Sequence, residues 1–285
     1  MDNIKRKGRK PRSMRVQNLH IGSHIVLSIW SLIVLVPIYV LITGSFKGKF
    51  DMYKNVFGLP EKWNFSNYTD ALTKIPRYFI NSFTVVVISL ILVLVIGVLV
   101  SYALAQWQSK LSTIIYFFFI AGMMIPIKIA SVQLIVIMQT LKLHSTIWAL
   151  VPIYVAMGVP ISVFILTEFI RQIPRSLIEA ALIDGSSRFN ILVRIIVPLT
   201  RPALATVAIY NLVPFWNDLW FPLIMADNDK ARTLILGASK LIGQYTTDWS
   251  KILSVLTLSS LPVLILYLLM SQQFIKGMTS GALKE

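Results

Sequence analysis

The residues best placed to do chemistry lie in one polar interval, residues 174–198, between two long apolar stretches. Glu179 and Asp184 are its carboxylates, and Arg188 and Arg194 follow them. Leu177, Ile178, Ala181 and Leu182 fall on one face of a helix, and Gly185 stands where that helix can end in a left-handed conformation. Ser186 or Ser187 can cap a second helix, with Phe189, Leu192, Val193 and Ile196 as its apolar stripe. The chemistry on offer is recognition. Two short amphipathic helices joined at a glycine must lie on a membrane surface or press into a partner, and the partner is preferred here.

A second group combines aromatics and amides: Trp216, Asn217, Asp218 and Trp220, with Asn211 and Tyr210 upstream and Gln133 in an earlier apolar stretch. Rings stack on the C–H faces of sugars and amides bind hydroxyls, so these residues suit a sugar pathway. They equally suit structure, because Trp and Tyr belt membrane interfaces and Asn holds neighbouring helices together. Other chemistries are closed. Cys is absent, which excludes disulfides and thiolate metal sites, and His20, His24 and His144 carry no ligand spacing. No G-x-x-x-x-G-K-[ST] occurs, so the chain cannot itself cradle ATP phosphates. No metal, cofactor or enzymatic activity is expected. Any energy the chain uses must come from another subunit or from an ion gradient.

The elements that position these residues are membrane helices. Of 285 residues, 56% are hydrophobic and only 14% charged, less polar than an ordinary soluble domain. Several stretches reach the 20 or so apolar residues that cross roughly 30 Å of hydrocarbon as a helix. Alternating strand patterns are absent. The expected fold is all-α and polytopic, with six spans near residues 25–42, 78–105, 111–138, 145–169, 202–225 and 252–274. Residues 1–20 form a basic head and 21–77 hold the first span with an outer loop. Residues 78–275 form the core, with the loop 170–198 inside it, and 276–285 form the tail. Pro126 is expected to kink the third span. Pro152, Gly158 and Pro160 are expected to interrupt the fourth. Lys128 lies near the middle of the third span. It either snorkels toward the outer end or faces a polar pathway with Gln133.

The net charge of +15 would suggest nucleic acid in a soluble protein; here it orients spans and meets anionic lipid. With both termini inside, the inner segments hold fifteen Lys and Arg and the outer segments eleven. The basic head dominates, which places the loop 170–198 in the cytoplasm.

Three motifs resemble one family. Glu179, Ala180 and Ala181, then Gly185, then nine residues and Ile195, Ile196, Val197 and Pro198 resemble the cytoplasmic loop of permease subunits in binding-protein-dependent ABC importers. Val197 stands where that family usually has Leu. VPFWNDLWFPLI, residues 213–224, and the ending FIKGMTSGALKE resemble segments of the maltose-type carbohydrate permeases. The resemblance covers roughly residues 20–285 and implies a type I importer permease fold. It implies that Glu179, Ala180, Ala181, Asp184, Gly185 and Pro198 couple the chain to a separate ATPase, the first helix sitting in a cleft of that subunit. It implies that the tail, with Lys276, Gly277 and Gly281 on an extended path, reaches the same ATPase. The implied partners are a second homologous permease, two ATP-binding subunits and an extracytoplasmic solute-binding protein, which the loop 226–251 would meet. The implied cargo is a sugar, moved by alternating access in the cytoplasmic membrane. Two alternatives stay open: the same architecture for a phosphate ester, peptide or polyol, and an ion-driven secondary transporter.

Overall fold

In hydrocarbon no water meets backbone N–H and C=O groups, so long apolar segments have to satisfy them internally as helices. A computed structural model describes residues 13–107, 109–240 and 247–282, and the regular structure among them is helical. Residues 1–12 of the basic head, Gln108, residues 241–246 of the expected outer loop 226–251, and residues 283–285 lie outside the described set. The first helix, α1 (Ser13–Ser45), is followed by two short ones, α2 (Lys49–Lys54) and α3 (Ser66–Lys74). Next come α4 (Pro76–Gln106), with a proline in its first turn, and α5 (Lys110–Met124), capped by Ser109 Oγ accepting from the Ser112 N–H. A 3-10 turn (Ile127–Ala130) leads to α6 (Ser131–Thr140), and α7 (Leu150–Arg171) follows. The polar interval carries α8 (Arg175–Ile183), α9 (Arg188–Ile191), a π-helical turn (Leu192–Ile196) and α10 (Val197–Leu199). The chain ends with α11 (Arg201–Trp216), α12 (Trp220–Met225), α13 (Leu234–Ser239) and α14 (Trp249–Ala282).

Among the described residues, three helical segments are long and apolar enough to cross a membrane: Ile21–Ser45, Pro76–Gln106 and Ile147–Arg171. Two bent pairs raise this to five if each counts as one span, and Trp249–Ile265 is a shorter apolar helix. Three expectations about the spans need correction. Pro126 does more than kink the third span: its halves, α5 and α6, meet at 79° through the 3-10 turn. The fourth span is not interrupted. Pro152 sits in the first turn of α7, where its missing N–H is not needed, and Pro160 is carried inside one unbroken helix. The fifth does not run on to residue 225. It stops at Trp216 and resumes at Trp220, because the Asp218 carboxylate accepts from the N–H groups of Trp220 and Phe221 and starts a new helix there.

The core is a crossing of α4, α7 and α11. Small residues let the backbones approach, as lipid-embedded helices require. Gly97 faces Ser162 and Leu166, and Ser101 Oγ donates to Val163 O at 3.2 Å. Asn211 Nδ2 donates to Val207 O and reaches Ser162 Oγ at 3.4 Å. From the other side, Trp216 Nε1 donates to Ser259 O at 3.0 Å and ties α11 to α14. Near the helix ends Asn81 Nδ2 donates to the carbonyls of Lys230 and Arg232, and Asn67 Nδ2 to those of Ser45 and Lys47.

A Cβ on Gly158 would lie 2.7 Å from Asn211 Oδ1 and 2.8 Å from Val93 Cγ2. Gly158→Ala is expected to cost about 1–3 kcal/mol through overpacking. At Gly122 the nearest atom is Pro160 Cγ at 3.9 Å, so Gly122→Ala serves as the neutral control. Thermal unfolding in detergent should show a lower midpoint for the first variant only.

Candidate functional site

The polar interval folds as the sequence implies and presents a surface of its own. Pro174 fixes the chain before α8, and Gly185 ends it at φ +79°. The Gly185 N–H donates to Leu182 O at 3.0 Å and the Ser186 N–H to Ala181 O at 2.9 Å. This pair of bonds meets the last carbonyls of the helix and needs the left-handed residue between them. Nothing lies within 4 Å of a Cβ at Gly185, so a substitution there meets conformational strain rather than a clash. Ser187 caps the next helix by accepting from the Asn190 N–H at 3.3 Å.

The apolar stripes divide. On α8 only Ile178 is buried, at 6% exposure, while Leu177 and Leu182 stay exposed. On the second helix Leu192 and Ile196 are buried, joined by Ile191, while Phe189 and Val193 remain outside. Ile183, absent from the expected stripe, is 86% exposed. Glu179, Ala180, Asp184 and Pro198 are exposed and Ala181 is half-buried. The loop therefore leaves Leu177, Leu182, Ile183 and Phe189 individually exposed, at different positions around its helices, with two carboxylates among them. Several large apolar side chains left uncovered on one short loop suit a contact surface.

The base of the loop is anchored to the spans. Glu168 Oε1 accepts from Tyr116 OH and from Arg171 Nη1, each at 2.8 Å. The Arg171 guanidinium lies 4.8 Å from the centroid of the Tyr116 ring, and that of Arg188 lies 6.0 Å from the Trp107 ring. The i,i+3 spacing of Glu168 and Arg171 was visible in the sequence; the meeting with Tyr116 on α5 depends on how α5 and α7 pack.

The expected pathway residues do not form one group. Asn211 and Trp216 are buried, Trp216 at 4% exposure, with their donors spent inside the helix packing. Asn217 is exposed and donates to Val213 O, and Gln133 is exposed on α6. What does assemble is the meeting of the two broken spans. Trp220 Nε1 donates to Ser131 Oγ at 2.9 Å, and Lys128 Nζ lies 5.9 Å from the Trp220 ring. Asp218 Oδ2 accepts from the fully buried Tyr154 OH at 3.0 Å, and Tyr154 stacks on Phe215. Lys128, exposed at the break, has no ion-pair partner within 4 Å among the described residues. In the tail, Lys276, Gly277 and Gly281 lie on helical backbone, since α14 continues to Ala282; the expected extended path is absent over these residues. A helix holds its own backbone bonds, which two glycines weaken without breaking.

A helical membrane fold with a glycine-ended loop and two broken spans is an architecture suited to a transport component. The chain belongs to the family described as the inner membrane component of binding-protein-dependent transport systems, which matches residues 94–272. It is 33% identical to the diacetylchitobiose uptake system permease protein NgcG of Streptomyces coelicolor, over 92% of this chain and 88% of that one. It is also 33% identical to a probable permease protein, AmyC, of a starch degradation products transport system in Thermoanaerobacterium thermosulfurigenes, over 90% and 93%. Its fold is similar to a chain in the crystal structure of a bacterial ABC transporter that imports the acidic polysaccharide alginate. The TM-score is 0.78 at 20% identity, covering 94% of this chain and all of that one.

Asp218→Ala removes the acceptor of a buried hydroxyl and of two helix-starting N–H groups. It should cost more than Tyr154→Phe, by about 1–3 kcal/mol. Urea or thermal unfolding of the two variants side by side checks the order.

Proposed function

We propose that this chain forms half of the translocation pathway for a sugar or oligosaccharide and couples it to a separate ATPase through residues 174–198. The sugar assignment is supported by the saccharides named for both relatives and by the aromatic and amide residues around Trp216. On this proposal six spans place both termini and the loop 174–198 in the cytoplasm. A second permease completes the pathway, and the loop 226–251 meets the solute-binding protein. Asn217 and Gln133 face the pathway, while Asn211 and Trp216 hold its wall.

One observation carries the coupling: the exposed apolar side chains of α8 and α9, joined at the left-handed Gly185, on a loop anchored through Arg171 and Glu168 to α5. An ATPase cleft that closes on ATP moves this loop, and the anchor passes the movement to the spans. Glu179 offers a charge to a basic group in that cleft, and Ala180 and Ala181 keep the contact close. Pro198, which lacks an N–H, follows the π-helical turn and leads into the 74° bend toward α11. Lys276, Gly277 and Gly281 give the end of α14 a second contact with the ATPase.

Glu179→Lys and Gly185→Asp are expected to leave the assembled complex in the membrane but to separate ATP hydrolysis from uptake. Gly185→Ala, which meets only the left-handed strain of about 1–2 kcal/mol, should act more weakly. Uptake and hydrolysis measured on the same proteoliposomes provide the check, and normal uptake by both severe variants refutes the coupling role. Removal of residues 277–285 should lower the stimulation of ATP hydrolysis by the loaded binding protein.

A further inference from the structure

The segment after α1 folds back along that helix. Tyr39 OH donates to Phe57 O at 3.0 Å. Tyr39 lies six residues before the end of α1 at Ser45, so Phe57 sits beside a point about 9 Å down the helix from its end. The span helix continues on both sides of that point, and Leu35, Val36 and Ile42 on the same face as Tyr39 are exposed. The returning segment thus lies alongside a span rather than above it.

Three of its carbonyls are met from within. Lys47 Nζ donates to Asn55 O at 2.6 Å and to Val56 O at 3.0 Å, and with Tyr39 this covers three consecutive carbonyls. The Gly58 N–H donates to Asn55 Oδ1 at 2.7 Å. Lys47 is only 1% exposed; burial pulls its ammonium below the usual lysine range, with Asp51 opposing. The apolar side chains do the reverse. Val56, Phe57 and Leu59 point outward, the last two at 67% and 66% exposure.

A loop in water leaves its carbonyls to solvent and gains nothing by turning large apolar groups outward. Irregular backbone at membrane depth needs the opposite: polar groups paired inside the protein and an apolar outer surface. The flanks fit the same medium. Tyr53 and Trp63 are exposed aromatics, and Lys54 and Lys62 are exposed cations, the composition that settles at headgroup level.

We propose that residues 55–59 form a wedge inserted in the leaflet that receives the C-terminal end of α1, with Phe57 and Leu59 among the acyl chains and Lys54 and Lys62 at the headgroup phosphates. The wedge fixes the depth and tilt of α1 and is independent of which solute the transporter carries.

The chain contains no Cys, so single labels can be placed on it directly. Nitroxides on Phe57→Cys, Leu59→Cys and Glu61→Cys are to be measured by spin resonance. The assembled importer sits in nanodiscs of phosphatidylcholine and phosphatidylglycerol, with the partner subunits' cysteines removed. At 57 and 59, collisions with oxygen should exceed those with a water-soluble nickel complex several-fold, with the reverse at 61. Preference for nickel at 57 would mean that the segment faces water or the binding protein, and overturns the wedge. Low collision with both would mean cover by the second permease, and also overturns it. Lys47→Ala uncovers two carbonyls and should abolish the oxygen preference at 57; an unchanged preference overturns the role given to Lys47.

Discussion

Unpaired backbone groups at helix ends are the constraint on which this structure turns. A chain of membrane helices has many ends, and each leaves N–H or C=O groups that lipid cannot satisfy. Each place of functional interest is one where a particular residue meets them. Gly185 turns the chain so that Ser186 and its own N–H close α8. Asp218 starts α12 with its carboxylate and holds the Tyr154 hydroxyl at the same time. Lys47 covers two carbonyls of the segment that returns along α1.

On the proposed mechanism, these devices keep the molecule stiff where force would pass and open where partners would fit. The crossing of α4, α7 and α11 is held by small residues and by Asn211, and leaves little freedom. Below it, Tyr116, Glu168 and Arg171 join the loop to α5, whose upper end is broken from α6 by 79°. A push on α8 therefore reaches a place where a span already has two separately oriented halves. That continuity, from an exposed loop to a bent span, is what the proposed mechanism needs from this subunit.

Much of this was legible in the residues. The apolar stretches gave the helical membrane class, and Gly185 with Ser187 gave the joint of the polar interval, because backbone preference there is local. The breaks were less legible. Pro160 reads like Pro126 in sequence, yet only Pro126 coincides with a change of direction, since packing against α4 carries α7 through its proline. Trp216 and Trp220 look alike in a string. Packing alone makes one a buried tie to Ser259 and the other an exposed partner of Ser131. The tail glycines suggested extension, but the continuing helix of α14 outweighs the modest helix penalty of glycine. The fold-back onto Tyr39 depends on a contact between residues 18 apart and had no local signal.

The central claim is that α8 sits in an ATP-binding subunit, and Ile183, the most exposed of its apolar side chains, reports on it most directly. In the co-purified complex, a short thiol cross-linker on Ile183→Cys should join this chain to the ATP-binding subunit, and the yield should change between nucleotide-free and ATP-trapped states. Cross-links that never reach that subunit, or labelling of position 183 from outside intact cells, would contradict the account.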